Sequence, residues 1–146
     1  MAEEQANQKS VSMLVYPGVS MLELTGAYST FNGMKMAKYE VSVVAEHREA
    51  LDSDTPLKIV PHKEFSELPA PSVLVVMGGG LPSLRALGNA ALLQYIHNAV
   101  YTAGSVIGIG CGALLLAACG LLENRPAATH WAFASLLEAF GARYVR

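Results

Sequence analysis

Three groups of residues in this sequence have the types and spacing to do chemistry. The first is Gly108-Ile-Gly110-Cys-Gly112, whose spacing is that of a nucleophile elbow, a sharp strand-to-helix turn in which small residues let the central side chain project into a site. The central slot falls on Gly110, which offers no nucleophile. Cys111 follows it, at a position where the backbone N–H commonly serves as an oxyanion donor. At a helix start its thiol would feel the helix dipole, which favours a reactive thiolate if the sulfur is exposed. The competing reading is a small residue buried in a crowded turn.

The second is Glu23, three residues after Ser20. Ser20-Met-Leu-Glu23 reads either as a capping box, a local device worth up to about 1–2 kcal/mol, or as a carboxylate delivered to a site. The third is His130, between Thr129 and Trp131. It could carry protons, although a structural histidine is the commoner case. Gly78-Gly79-Gly80 ends an apolar run and reads as backbone that turns tightly beside the site, with Gly79 and Gly80 as candidate anion or oxyanion donors.

Two other chemistries fit less well. Gly108-x-Gly110-x-x-Ala113 satisfies the dinucleotide fingerprint, but an acid should follow about 20 residues later, and position 130 is histidine. His47, His62 and His97 share no close spacing with one another or with a cysteine, so no metal site is supported. No cofactor is expected.

The elements that must position these residues follow from hydrophobic periodicity and turn signals. Strands are predicted at Val11–Tyr16, Tyr39–Ala45, Leu57–Val60, Ser72–Met77 and Ser105–Ile109, the last read as covered on both faces because it is continuously apolar. Helices are predicted from Ser20 towards Met34, over Ala90–Thr102, from Cys111 to about Gly120 and over Trp131–Phe140, with Ala142–Val145 starting a further strand. This alternation argues for an α/β fold with a mostly parallel sheet and helices on both faces. Ligands bind such sheets outside the carboxyl ends of the strands, which directs attention to Pro17–Glu23, Gly78–Pro82 and Gly108–Ala113.

With 146 residues the chain makes one domain, residues 11–146, after a polar tail at residues 1–10 that is expected to be disordered. A formal charge of −2 and no run of Lys and Arg give no electrostatic footprint for nucleic acid. Cys111 and Cys119 are too few for a secreted disulfide framework, and a reducing cytoplasm fits them. Residues 1–67 hold 16 of the 22 charged side chains, and from Ala99 to Leu122 there are 24 residues without one. That run is long enough to cross a bilayer, but its five glycines and β-branched Ser105–Ile109 favour a strand, turn and helix.

Gly110-Cys-Gly-Ala-Leu-Leu-Leu-Ala-Ala-Cys-Gly-Leu-Leu122, followed by Ala128-Thr-His-Trp131, resembles the PfpI superfamily, which includes the parkinsonism-associated deglycase, and within it the isonitrile hydratase-like proteins. Val11–Tyr16, Leu22-Glu-Leu-Thr-Gly26, Val73–Gly80 and Phe140-Gly-Ala142 also match. The resemblance implies a flavodoxin-like three-layer sandwich of the class I glutamine amidotransferase type. It further implies a small-molecule ligand, a homodimer and no membrane or nucleic-acid partner. It assigns Glu23 the acidic position that hydrogen-bonds the family's cysteine, where hydratases usually carry Asp. It places the nucleophile position on Gly110, the neighbouring Thr position on Cys111, and Gly112, Thr129 and His130 near the pocket. Family members normally continue past the position matching Arg146, so the final strand and helix are expected to be missing. Two functions follow as expectations. One is a hydratase-like protein acting on or binding a small electrophilic metabolite. The other is a catalytically silent ligand-sensing domain related to those of transcriptional regulators.

Overall fold

In the centre of the molecule two apolar segments, β1 (Lys9–Leu14) and β6 (Val73–Val76), lie side by side as parallel strands, pairing Val11 with Val73 and Leu14 with Val76. The computed structural model describes residues 8–34 and 39–146. From Val11 onward every residue of β1 is buried, as is all of β6, which is why β6 reads as an unbroken hydrophobic run and β1 is interrupted only by Ser12, whose hydroxyl is hydrogen-bonded to Tyr95. On one side β1 pairs with β2 (Tyr39–Ala45), which pairs with the short β5 (Lys63–Glu64). On the other, β6 pairs with β7 (Ser105–Gly108). The order β5-β2-β1-β6-β7, all parallel, places a topological switch between β1 and β6. The crevice for a ligand therefore opens beyond their carboxyl ends.

The helices are α1 (Met21–Gly33), α2 (Leu81–Ala86), α3 (Ala90–Ala99), α4 (Gly112–Ala118) and α5 (Ala134–Ala139). Helix α3 buries Leu92, Tyr95, Ile96 and Ala99 on one face, and all of α4 from Gly112 to Ala117 is buried. Asn89 caps α3 by accepting from the Leu92 N–H at 3.0 Å. The expected α/β architecture is the observed one.

Several elements differ from the sequence reading. Strand β1 begins at Lys9, because Lys9 and Ser10 pair with Tyr39 and Glu40, so the polar tail is shorter than ten residues; residues 1–7 lie outside the described ones. The Leu57–Val60 segment contributes only β4 (Lys58–Ile59), which pairs antiparallel with β3 (Leu51–Asp52) in a separate hairpin. The Trp131–Phe140 helix starts as a 3₁₀ turn at Trp131–Phe133 before α5, and β9 (Arg143–Tyr144) joins β8 (Pro126–Ala127) in a small parallel pair of its own.

The largest correction is β7, read as covered on both faces but exposed at all four residues, with Val106 at 37% and Ile107 at 38%. It is the outer strand of the sheet. Hydropathy reports how well a residue tolerates burial and not whether the fold supplies a neighbour. Among the described residues no helix is long and apolar enough to cross a membrane. The uncharged run 99–122 is divided among the end of α3, β7, the glycine bend and α4.

Leu74 is fully buried in β6 whereas Val106 is half-open on the edge. Leu74→Ala is expected to lower unfolding free energy by about 2–5 kcal/mol, a transfer-plus-cavity cost. Val106→Ala is expected to cost less than about 1 kcal/mol. Urea denaturation of both variants checks the contrast.

Candidate functional site

The bend between β7 and α4 is shaped by three glycines, each for a separate steric reason. A Cβ on Gly108 would lie 2.9 Å from Leu116 Cδ1 and 3.1 Å from the Ala113 backbone, and one on Gly112 would collide with the Val76 carbonyl oxygen. Gly110 has φ +52°, in the left-handed region that costs other L-residues free energy. A Cβ built there would lie 2.5 Å from Glu23 Oε1 and 3.2 Å from its Cδ. The direction in which residue 110 would project is thus the direction of the Glu23 carboxylate.

Cys111 does not take that direction. It is 5% exposed and belongs to an apolar cluster with Leu114, Leu137 and Ala142. Cys119 is half-buried against the main core, and burial pushes its thiol pKa up.

Glu23 sits in the first turn of α1, capped by Ser20, whose Oγ accepts from the Glu23 N–H at 3.5 Å. The reciprocal half of a capping box is not made. The Ser20 N–H donates to the Gly78 carbonyl at 2.8 Å, and the Gly78 N–H donates to Glu23 Oε2 at 2.7 Å. The carboxylate therefore ties α1 to the glycine loop after β6. Space for that contact requires glycine, since a Cβ on Gly78 would stand 2.6 Å from Glu23 Oε2 and 2.8 Å from Cys111 N. Burial raises the Glu23 pKa above the ordinary carboxylate range; the Gly78 N–H opposes the rise and the like charge of Asp54 adds to it.

A cavity of about 800 Å³ opens over these groups. Seven residues singled out from the sequence line it: Glu23, Gly79, Gly80, Gly110, Cys111, Thr129 and His130. Gly112 instead packs beneath the bend against Val76. Thr129 Oγ1 donates to the Gly110 carbonyl at 3.4 Å. His130 is exposed, and its Nδ1 accepts from the Ala132 N–H at 3.2 Å, capping the 3₁₀ turn. Leu81 and Phe133 supply apolar wall.

Asp54 also lines the cavity and was not found by sequence reasoning. It reaches the site because Ser53 bridges to Val19, and it is anchored there by the Met21 N–H donating to Asp54 Oδ1 at 2.9 Å. In the sequence Asp52-Ser-Asp54 signals only a turn. Tyr16, buried behind the glycine loop, was missed as well; an aromatic residue ending a core strand carries no distinguishing signal. Among the described residues, no group of three or more His, Cys, Asp or Glu is placed to hold a metal ion.

A parallel sheet with a glycine-built elbow facing an acid from the first helix defines the class. The chain belongs to the DJ-1/PfpI family, whose model matches residues 9–146. It is 32% identical over 133 residues to an isonitrile hydratase of Pseudomonas putida, covering 90% of this chain and 57% of the hydratase. It superposes on a THiJ/PfpI family protein from Pseudomonas syringae with a TM-score of 0.86 at 30% identity, covering 92% of this chain and 55% of that one. The chain thus spans little more than half the length of either. An AraC family transcriptional regulator from Pseudomonas putida shares the fold, with a TM-score of 0.76 at 20% identity over 94% of this chain and 76% of that one.

Because the folded state holds the Glu23 pKa above its ordinary value, folding takes up a proton in the interval between the two values. That stabilising contribution is complete below the ordinary carboxylate pKa and is lost as pH rises through the raised one. Glu23→Gln is expected to remove this fall, so the variant gains stability relative to the parent as pH rises through that window. Asp54→Asn, which removes a like charge and keeps an acceptor for Met21, is expected to move the Glu23 midpoint down. A ¹³C carboxyl NMR titration and urea denaturation across pH read both effects.

Proposed function

We propose that this chain binds a small electrophilic metabolite in the cavity at the elbow and carries out no thiol-dependent chemistry on it. The observation that carries this reading is the course of the chain at residue 110. The bend aims that position at the Glu23 carboxylate, and it holds glycine. In the isonitrile hydratase-like scheme a thiolate there would attack the electrophilic carbon, with an acid handling protons and backbone N–H groups stabilising the negative charge. Here Glu23 is the acid, and Gly79 and Cys111 are the backbone donors of that scheme; the Gly112 N–H, a third donor in the sequence-based expectation, is taken by the Ile109 carbonyl at 2.8 Å. Without a sulfur at position 110 the covalent step has no nucleophile. Cys111, packed against Leu114 and Leu137, would have to leave its cluster to supply one.

The pocket also sets the ligand's charge. Its lining includes Glu23 and Asp54 and no Lys or Arg among the described residues, which disfavours an anion and suits a neutral molecule with a polarised carbon. In this reading the protein works as a ligand-responsive domain, as a homodimer in the reducing cytoplasm, with His130 and Thr129 shaping the mouth of the pocket.

The test restores the missing group. Gly110→Cys alone crowds Glu23, since the new Cβ would lie 2.5 Å from Oε1, so the Gly110→Cys/Glu23→Asp double variant is the one to assay. It is expected to hydrate an isonitrile at a rate at least ~100-fold above the parent, the smaller gains expected of a positioned nucleophile with its acid, while the parent stays at background. Isonitrile consumption by the parent that is abolished by Cys111→Ser would overturn the proposal.

A further inference from the structure

Behind the glycine loop lies a chain of hydrogen bonds that ends on the site carboxylate. Ser83, fully buried at the third position of α2, and Tyr16, 3% exposed two residues past the end of β1, join hydroxyl to hydroxyl at 2.8 Å. The Tyr16 hydroxyl donates to the Met77 carbonyl at 2.8 Å, which leaves Ser83 as the donor to Tyr16. The Met77 carbonyl and the Gly78 N–H belong to one planar peptide unit and point in opposite directions across it. That N–H is the donor to Glu23 Oε2, at 2.7 Å. Turning this peptide would therefore break the bond to Tyr16 and the bond to Glu23 together.

We propose that Tyr16 is a positioning residue for the Glu23 carboxyl, acting through the Met77–Gly78 peptide. The phenol holds the carbonyl end, and so fixes the direction in which the N–H end points. It also polarises the peptide, because hydrogen bonds in series strengthen one another in a low-dielectric interior. The opposite face of the loop is held independently, with the Ser20 N–H donating to the Gly78 carbonyl at 2.8 Å. The two anchors between them leave the glycine loop, which has no side chains of its own, with a defined orientation.

The titratable groups that act on Glu23 are Asp54 from the β3–β4 hairpin and Tyr16 from the segment just after β1; Cys111, buried in its apolar cluster, lies near Tyr16. Burial keeps Tyr16 un-ionised well beyond the ordinary phenol range, so replacing it with Phe removes a donor and no charge. A weaker N–H bond stabilises the ionised carboxylate less. The sign of the effect on Glu23 is upward.

The experiment compares Tyr16→Phe with Tyr95→Phe. Tyr95 is a matched control: it is 5% exposed, its hydroxyl donates to the Leu68 carbonyl at 2.8 Å, and it meets Ser12 Oγ at 2.8 Å. Both variants lose one buried hydroxyl with two partners, so similar losses of stability are expected. Only Tyr16→Phe is expected to raise the Glu23 midpoint, by about 0.3–0.5 pH unit, as read by ¹³C carboxyl NMR. Ser83→Ala, which removes the outer link alone, is expected to move it in the same direction by less. A Glu23 midpoint unchanged within ~0.1 unit in both Tyr16→Phe and Ser83→Ala, or raised equally by Tyr95→Phe, overturns the proposal. The readout needs no ligand, so its failure leaves the binding proposal standing, and failure of that proposal leaves this one intact.

Discussion

The close approach of the Gly108–Gly112 bend to the end of β6 is the constraint on which the rest of the site depends. Backbone packs on backbone there, with Gly112 against the Val76 carbonyl and Gly78 against Cys111 N. No side chain larger than hydrogen fits at those two contacts. Because α4 must leave the bend at that spot, residue 110 is forced into the left-handed region facing α1, and residue 111 is turned under α4 into the apolar cluster with Leu137. This packing fixes where the two positions lie before any chemistry is considered. A thiol one residue along the chain, at Cys111, still borders the cavity but is 5% exposed and packed in the cluster with Leu137.

Glu23 shows how one side chain can serve both fold and site. It is held by the Gly78 N–H, and Ser20 on the same turn holds the Gly78 carbonyl, so the first turn of α1 grips the glycine loop from both ends of a single residue. Behind the loop, Tyr16 grips the preceding carbonyl. A loop of three glycines would otherwise sample many conformations at low cost. These anchors make it a rigid wall of the cavity, and the same burial that rigidifies it raises the pKa of the carboxyl it contacts.

Much of this architecture is legible in the residues themselves. The buried strands β1 and β6, the Ser20 cap of α1, the periodic face of α3 and the glycine bend are strong local signals, and together they place the site at the carboxyl ends of β1, β6 and β7. The ambiguity at Glu23, cap or site, is resolved only by the fold, since the decision rests on Gly78, 55 residues away. Asp54 and Tyr16 could not be found, because their roles arise from the Val19–Ser53 bridge and from a peptide orientation, neither of which leaves a local pattern. The exposure of β7 was misread for a related reason. Position within a sheet is a long-range property, and the two-residue strands β3, β5 and β8, which were not foreseen, are too short to show any period.

The central claim is that the position aimed at Glu23 holds glycine and that Cys111, although it borders the cavity, is too buried to act as its nucleophile. It is tested most directly by exposing the folded protein to a small electrophile at neutral pH and measuring adducts by intact and peptide mass spectrometry. The account expects Cys111 to remain unmodified in the native state and to react once the protein is unfolded in urea. Rapid, stoichiometric modification of Cys111 in the native protein, protected by a ligand that fills the cavity, would contradict it.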